Sequence, residues 1–267
     1  MGKDRLDNEI FKRGLAISWK KANAIVIAGK VKVNGVKVDK PGTSVDESVE
    51  IYIEPPPKYV SRGGYKLEQA IIDFKIDFNN KTVLDVGAST GGYTDCALQN
   101  GAKKVYAVDV GYGQLDWDLR NDNRVMIFER TNIRYLTLEG LGEKVDIVTI
   151  DVSFISTSKV FPVVMSLIKD DGVIISLIKP QFEAGKDKVG KKGVIKDSNV
   201  HSEVLLNSIK NAELLGMKCV GITYSPITGP QGNIEYFICL QKNGESIGNN
   251  EHYVRRTVIA AHKNLGG

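Results

Sequence analysis

The chain has 267 residues, 42% of them hydrophobic and 25% charged, with a net charge of +4. That mix supplies a real core and excludes wholesale disorder, and the length suits one large domain beside a small one. No apolar run reaches the roughly 18–20 residues of a membrane span, and the longest, at 172–178, is strand-sized.

The opening stretch, MGKDRLDNEIFKRG, carries charges where a secretory signal needs its apolar segment, so a cytoplasmic protein is expected. Three widely spaced cysteines (Cys96, Cys219, Cys239) form neither a disulfide framework nor a CxxC pair. His201, His252 and His262 do not fall at metal-site spacings, so no obligate metal is expected.

Apolar residues at helical spacing predict helices over 5–13 and 19–28, the second capped by Ser18 and ended by Gly29. Val31-Lys32-Val33 and Val36-Lys37-Val38 flank Asn34-Gly35, a strong two-residue hairpin signal. A last strand over 49–53 runs into Pro55-Pro56-Pro57. Three consecutive prolines stay out of helices and central strands, so 55–60 reads as a stiff linker. It divides a small domain over 1–54 from a large one over 61–267.

Residues 1–58 carry 11 Lys and Arg against 8 Asp and Glu, so most of the excess positive charge lies there. Lys12, Arg13, Lys20, Lys21, Lys30 and Lys32 gather around the helices and the hairpin entry. Such a face is either a solvated surface or the footprint of a polyanion. The stretch RLDNEIFKRGLAISWKKANAIVIAGKVKVNGVKV resembles the S4 RNA-binding domain. The likeness lies in its RLD start, its RGLA-S helix junction, its I-x-G-x-V-x-V-N-G hairpin and the following Lys40-Pro41-Gly42. The resemblance implies a small α+β domain that docks structured RNA through Arg5, the six basic residues above and Trp19. Trp19 stands where that family usually has arginine, which removes a phosphate contact and offers a ring for stacking on a base.

From residue 81 onward, strand-like runs at 82–86, 104–109, 125–129, 145–151, 172–179, 218–224 and 235–241 alternate with helix-sized segments. This predicts a doubly wound α/β fold with a mostly parallel sheet. The last two strands lack a helix between them and are expected to pair antiparallel at one edge. The first strand leads into Asp85-Val86-Gly87-Ala88-Ser89-Thr90-Gly91-Gly92, where glycines permit a sharp turn and close approach to a ligand. The second ends at Asp109, 22 residues after Gly87, where a carboxylate can accept hydrogen bonds from ribose hydroxyls. A dinucleotide site is the rival. However, Ser89 replaces the second glycine of the pyrophosphate-binding form, and no P-loop lysine follows, so the loop suits a cofactor without phosphates.

The run VLDVGASTGGYTDCAL resembles the S-adenosylmethionine loop of class I methyltransferases of the FtsJ-like kind. With the S4-like segment in front, residues 3–242 resemble the TlyA-type family, often labelled hemolysin A. SRGGYKL at 61–67, DVGASTGG at 85–92, IDVSFIS at 150–156, LIKPQFE at 177–183 and Gly232-Asn233-Ile234-Glu235 carry the likeness. It implies a class I methyltransferase sheet behind a small α+β S4 domain. It also implies S-adenosylmethionine as cofactor, with ribosomal RNA or ribosomal subunits methylated at ribose 2′-oxygens. Asp85, Gly87, Ser89, Gly91 and Gly92 would surround the methionine and ribose portions, Asp109 the ribose hydroxyls and Asn132 the adenine edge.

Asp151 ends the run VDIVTID and Lys179 ends VIISLIK, so both belong at the carboxyl edge of the sheet, where this architecture binds ligands. Ionisable groups that end apolar strands are partly desolvated and need counter-charges. Lys66 follows Arg62-Gly63-Gly64-Tyr65, read as a flexible approach to a helix over 66–74, and Glu235 opens the last strand. The resemblance implies that these four converge as a Lys-Asp-Lys-Glu tetrad. Lys179 is then the candidate general base, since burial beside a second ammonium favours a neutral amine.

The segment 184–198, with lysines at 186, 188, 191, 192 and 196, reads as a solvated loop or as a basic lid over RNA phosphates. Three competing functions are weaker. Ser89 argues against a nicotinamide dehydrogenase. The lack of an apolar span argues against a membrane-active hemolysin. The four ionisable residues argue against an RNA-binding protein without catalysis.

Overall fold

In the computed structural model, residues 2–185, 188–190 and 193–266 are described, and the chain forms two compact units, Met1–Lys58 and Tyr59–Gly267.

The small unit runs β1 (Lys3–Arg5), α1 (Leu6–Lys12), α2 (Trp19–Ile27), β2 (Val31–Val33), β3 (Val36–Val38), β4 (Ser44–Asp46) and β5 (Ile51–Ile53). Its core joins Leu6, Ile10, Ala22, Val26, Val31 and Val45. Ser18 caps α2 as expected, its hydroxyl accepting from the Lys21 N–H at 3.2 Å. Asn34 (φ 48°) and Gly35 (φ 79°) both take the left-handed conformation that the β2–β3 turn requires. β5 pairs with the other side of β2 and begins at Ile51, two residues later than expected. The antiparallel pair β1–β4 was not foreseen. Each strand is three residues long, too short for alternation to register.

The large unit begins with α3 (Gly63–Phe74), β6 (Thr82–Val86), α4 (Gly92–Gln99), β7 (Lys104–Val108), α5 (Trp117–Arg120), β8 (Val125–Phe128), α6 (Leu138–Leu141) and β9 (Val145–Ile150). It continues with α7 (Phe161–Leu167), β10 (Ile168–Ile178), α8 (Pro180–Glu183), α9 (Ser198–Glu213), β11 (Lys218–Tyr224), β12 (Tyr236–Gln241) and α10 (Asn250–Leu265). The seven strands of its sheet lie in the order β11-β12-β10-β9-β6-β7-β8. β12 runs against both of its neighbours, and the remaining pairings are parallel. The expected antiparallel pair, β11 with β12, is present at one edge of the sheet, with β11 outermost and β12 interior. Its run YFICL is buried throughout, which suits a strand covered on both faces.

Alternate residues feed two cores. Leu84, Val86, Val148 and Ile150 pack under α7, α9 and α10, while Val83, Ile147, Ile175 and Phe237 pack under α3 and α4. Each fully buried Leu or Ile contributes roughly 1.5–3 kcal/mol over its exposed state.

Register sets up the site. Val86 pairs with Val108 on one side and Ile150 on the other, so Gly87, Asp109 and Asp151 emerge side by side. Ile178 pairs with Tyr236, so the reversed β12 brings Glu235, just before its first residue, to the edge where Lys179 emerges.

One local expectation is corrected. Gly63, Gly64 and Tyr65 form the first turn of α3, not a flexible approach to it. Gly64 lies against the Tyr59 ring, where a Cβ would overlap it, and a Cβ on Gly92 would meet the Gly64 backbone. These glycines let α3 and α4 start in close contact. Lys66 then shares the buried face of α3 with Leu67 and Ala70.

Candidate active site

A cavity of about 810 Å³ opens at the carboxyl edge of the sheet, walled by Gly87, Ser89, Asp109, Asn132, Asp151 and Phe154 among others. Gly87 has φ 89°, and a Cβ there would strike the Asp151 carbonyl oxygen. Ser89 keeps a left-handed backbone, φ 49°. Its N–H donates to Asp109 Oδ2 at 2.8 Å, and the Gly111 N–H donates to Oδ1 at 2.7 Å. Two main-chain donors thus hold the Asp109 carboxylate at the wall and leave it further acceptor capacity. Asn132 Oδ1 accepts from the Arg134 N–H at 3.1 Å, fixing the amide at the wall.

Three of the residues expected around a ligand do not line this cavity. Asp85 shares its strand face with Val83, so it points under α4, where its oxygens accept from Thr94 Oγ1 at 2.7 Å and Thr149 Oγ1 at 3.0 Å. Burial pushes its carboxyl up to about 7, against the pull of the two threonine hydroxyls. Gly91, at φ 95°, packs against Leu115 and Leu119, and Gly92 packs against α3. None of the three walls the cavity. Their positions in the loop motif reflect packing beneath it.

The four ionisable residues form two ion pairs. Lys179 Nζ stands 2.5 Å from Asp151 Oδ1, with the side chains 10% and 19% exposed. Lys66 Nζ stands 2.5 Å from Glu235 Oε2, in deeper burial. Asp151 belongs both to its pair and to the cavity wall. Three further residues were not singled out from sequence. Ser153 accepts from Lys179 Nζ at 3.0 Å and also walls the cavity. Tyr93 has a buried hydroxyl without a hydrogen-bond partner among the described residues. Burial, together with the charges of Asp151, Glu235 and Asp85, drives that phenol well above its usual range. Glu183 accepts from Ser156 Oγ at 2.6 Å and from the Thr157 N–H at 2.8 Å, tying α8 to the loop that follows Asp151. Ser153 and Glu183 lie within the IDVSFIS and LIKPQFE motifs, and that was their sequence signal.

Comparison with known proteins adds the family. A model described as FtsJ-like methyltransferase matches residues 59–242. This chain belongs to the FtsJ-like methyltransferase family. A second model, the S4 domain, matches residues 4–51. The chain is 46% identical to YqxC of Bacillus subtilis, over 98% of this chain and 95% of that one. It is 44% identical to a Mycobacterium tuberculosis protein named 16S/23S rRNA (cytidine-2′-O)-methyltransferase TlyA, over 89% of each chain. A solved Streptococcus thermophilus structure that carries a hemolysin name matches with TM-score 0.76 at 39% identity, covering 100% of this chain and 98% of that one.

Within the S4 unit, several of the expected RNA contacts have partners of their own. Arg5 grips the buried Asp7 through Nε at 3.0 Å and Nη2 at 2.8 Å, and Lys12 pairs with Asp4 at 2.5 Å. Arg13 donates to the Val49 carbonyl at 2.7 Å and the Glu47 carbonyl at 2.9 Å while pairing with Glu9, so it is an internal brace. Lys30 and Lys32 each lie 3.6 Å from Glu54. Lys20 and Lys21 are exposed and form no ion pair among the described residues, and Trp19 beside them is 47% exposed.

In the methyltransferase unit, Lys186, Lys191 and Lys192 of the expected basic lid lie outside the described residues. Lys188 pairs with Glu203 on α9 at 2.6 Å. Among the described residues, no group of three or more His, Cys, Asp or Glu is placed to hold a metal ion. No described helix is long and apolar enough to cross a membrane.

Proposed function

We propose that this chain transfers a methyl group from S-adenosylmethionine to a ribose 2′-oxygen of ribosomal RNA in the cytoplasm, with the S4 unit as docking module. One observation carries the reading. Asp151 walls the cavity and at the same time holds Lys179, so a cofactor site and a buried lysine share one residue. The name of the Mycobacterium tuberculosis relative supports a ribosomal cytidine as the target.

The residues present fit that cofactor. Asp109 offers a fixed carboxylate for ribose hydroxyls, and Gly87 leaves the wall free of a side chain where the backbone turns. Asn132 lies beside Asp109 on the wall, in reach of a base edge. When bound, S-adenosylmethionine supplies an electrophilic methyl group on a sulfonium.

The chain's own residues do the rest. A ribose hydroxyl is a weak nucleophile that must be held in line and relieved of its proton. The neutral amine form of Lys179, having first released its own ammonium proton, takes that proton and becomes the ammonium, which Asp151 and Ser153 hold in place. Lys66, fixed by Glu235, holds a second positive charge in the same strand-edge cluster. Asp85, Gly91 and Gly92 support the loop from beneath.

The test is transfer of tritium from labelled cofactor to naked ribosomal RNA, isolated subunits and whole ribosomes, followed by alkaline cleavage mapping. A 2′-O-methyl group blocks cleavage at its nucleotide. Transfer to a base instead of a ribose overturns the mechanism, and leakage of liposomes without any methyl transfer overturns the enzyme assignment.

A further inference from the structure

The four arginines around β8 are of two kinds. Arg120 is paired with Glu129, and Arg124 with Asp122 at 2.7 Å. Arg130 and Arg134, in the loop that follows β8, are exposed and form no ion pair among the described residues. Each lies over an aromatic ring instead. The Arg130 guanidinium is 4.2 Å from the centroid of Tyr112, and that of Arg134 is 5.6 Å from the centroid of Tyr135. The rings themselves are 67% and 76% exposed.

The loops after β7 and β8 are built to hold the first pair in place. Arg130 has φ 52°, an uncommon conformation for any residue with a Cβ. It is retained because the Arg130 N–H donates to the Gly111 carbonyl at 2.9 Å and the Thr131 N–H donates to the Asp109 carbonyl at 2.9 Å. The same Asp109 and Gly111 shape the cofactor wall, so this surface starts where the cavity ends. Arg134 itself belongs to the wall. Four positions separate the two arginines, so their Cα atoms are at most roughly 14 Å apart.

We propose that these Arg–Tyr pairs are an RNA-docking surface of the methyltransferase unit, additional to the S4 unit. The proposal rests on the reading of the chain as an RNA methyltransferase. The Arg130 guanidinium, without a carboxylate, keeps its fork of N–H donors for phosphate oxygens, and that of Arg134, whose Nε donates to Asn132 Oδ1 at 3.2 Å, keeps its two terminal nitrogens. A tyrosine ring beneath it orients that fork and offers an exposed edge and face to an unstacked base. Acidic protein partners would satisfy the arginines but leave two largely exposed rings without a role, so RNA is the better match. The surface would grip the strand flanking the target nucleotide while that nucleotide enters the site.

The test uses the full-length protein with Arg130→Gln, Tyr112→Ala and the two combined. Neither residue walls the main cavity. Fluorescence anisotropy with ribosomal RNA fragments across a salt series gives affinity and salt slope, calorimetry gives S-adenosylmethionine affinity, and tritium transfer gives kcat and KM for RNA. Arg130→Gln should lower the salt slope by about one. Tyr112→Ala should weaken RNA binding on the order of 10-fold with the slope unchanged. Cofactor affinity should stay within about twofold. A wild-type enzyme that methylates RNA, with variants of unchanged RNA affinity, slope and KM, overturns the docking surface alone. Variants that lose cofactor affinity in step with activity also overturn it, by assigning the pair to the cofactor site. A wild-type protein that neither binds nor methylates RNA overturns the enzyme reading and this proposal together.

Discussion

Glu235 meets Lys66 across 169 positions of sequence, and the pair, with 2.5 Å between Oε2 and Nζ, is nearly sealed from solvent. The second oxygen, Oε1, is buried without a hydrogen-bond partner among the described residues. Such a pair adds little net stability, because desolvation offsets the attraction, but removing one partner strands the other's charge. Glu235→Ala should therefore cost about 3–5 kcal/mol in urea unfolding. The double variant Lys66→Met with Glu235→Gln should recover most of that loss. Methyl transfer should be lost in both. A double variant that is stable and fully active would reduce the pair to a structural contact.

Asp109 gives the cofactor prediction. Its carboxylate is held by the Ser89 and Gly111 N–H groups, so its orientation does not depend on a ligand. Asp109→Ala should weaken S-adenosylmethionine binding by a charge-assisted hydrogen bond's worth, about 1.5–3 kcal/mol or roughly 10–150-fold. Asp109→Asn should fare little better, since its NH2 group must face one of those main-chain donors. Calorimetry with the cofactor and its demethylated product measures both, and NAD should give no heat with any of the three proteins.

Two buried groups give stability opposite dependences on pH. The Asp85 carboxyl, raised by burial from 3.8 to about 7, keeps its proton in the folded state while the unfolded chain releases it. Its contribution is complete in acid below about pH 4 and is lost as pH rises to about 7, amounting to a few kcal/mol. His201 is the reverse. Burial, aided by the neighbouring His262, lowers its imidazole from 6.5 to about 4. Its contribution is complete above about pH 6.5 and is lost as pH falls to about 4. Asp85→Asn, a mimic of the protonated side chain, should therefore gain stability relative to the parent between pH 4 and 7. His201→Gln should flatten the acid limb. Urea unfolding at constant m-value across this range tests both, and a pH-independent difference between Asp85→Asn and the parent would rule out the buried titration.

What the sequence made legible follows from how local each feature is. Asp151 and Lys179 are readable because each ends an apolar strand run, and parallel register puts such ends on one edge. The partner of Lys66 is readable only through the family resemblance, because the expected antiparallel pairing of the last two strands does not say that β12 lies beside β10. Asp85 misleads for a different reason. Its place in a glycine-rich motif suggests a ligand, yet its alternation with Val83 already turns it under α4, onto Thr94 and Thr149. Gly63 and Gly64 look flexible in isolation, although in the fold they mark the close contact that starts α3. In the S4 unit the basic residues are readable by type, while the partners of Arg5 and Arg13 come from residues that only the fold brings near.

The last prediction concerns Lys179, whose Nζ is held between Asp151 Oδ1 and Ser153 Oγ. If it is the base, Lys179→Ala should lower kcat by about 10²–10⁴-fold, with disturbed alignment adding to the loss. Cofactor affinity should hardly change, because the residue's task arises in the transition state. The fold should also survive, since Asp151 keeps 19% exposure and water can take over its charge. Lys179→Arg separates two roles. Arginine preserves the positive charge and the contact with Asp151, but it does not give up a proton near neutral pH. A base predicts an arginine variant almost as inactive as the alanine one, whereas an electrostatic clamp predicts substantial activity. Single-turnover tritium transfer with both variants, at saturating cofactor, decides between them. An active Lys179→Arg enzyme would move the base elsewhere and leave Lys179 as a holder of the substrate oxygen.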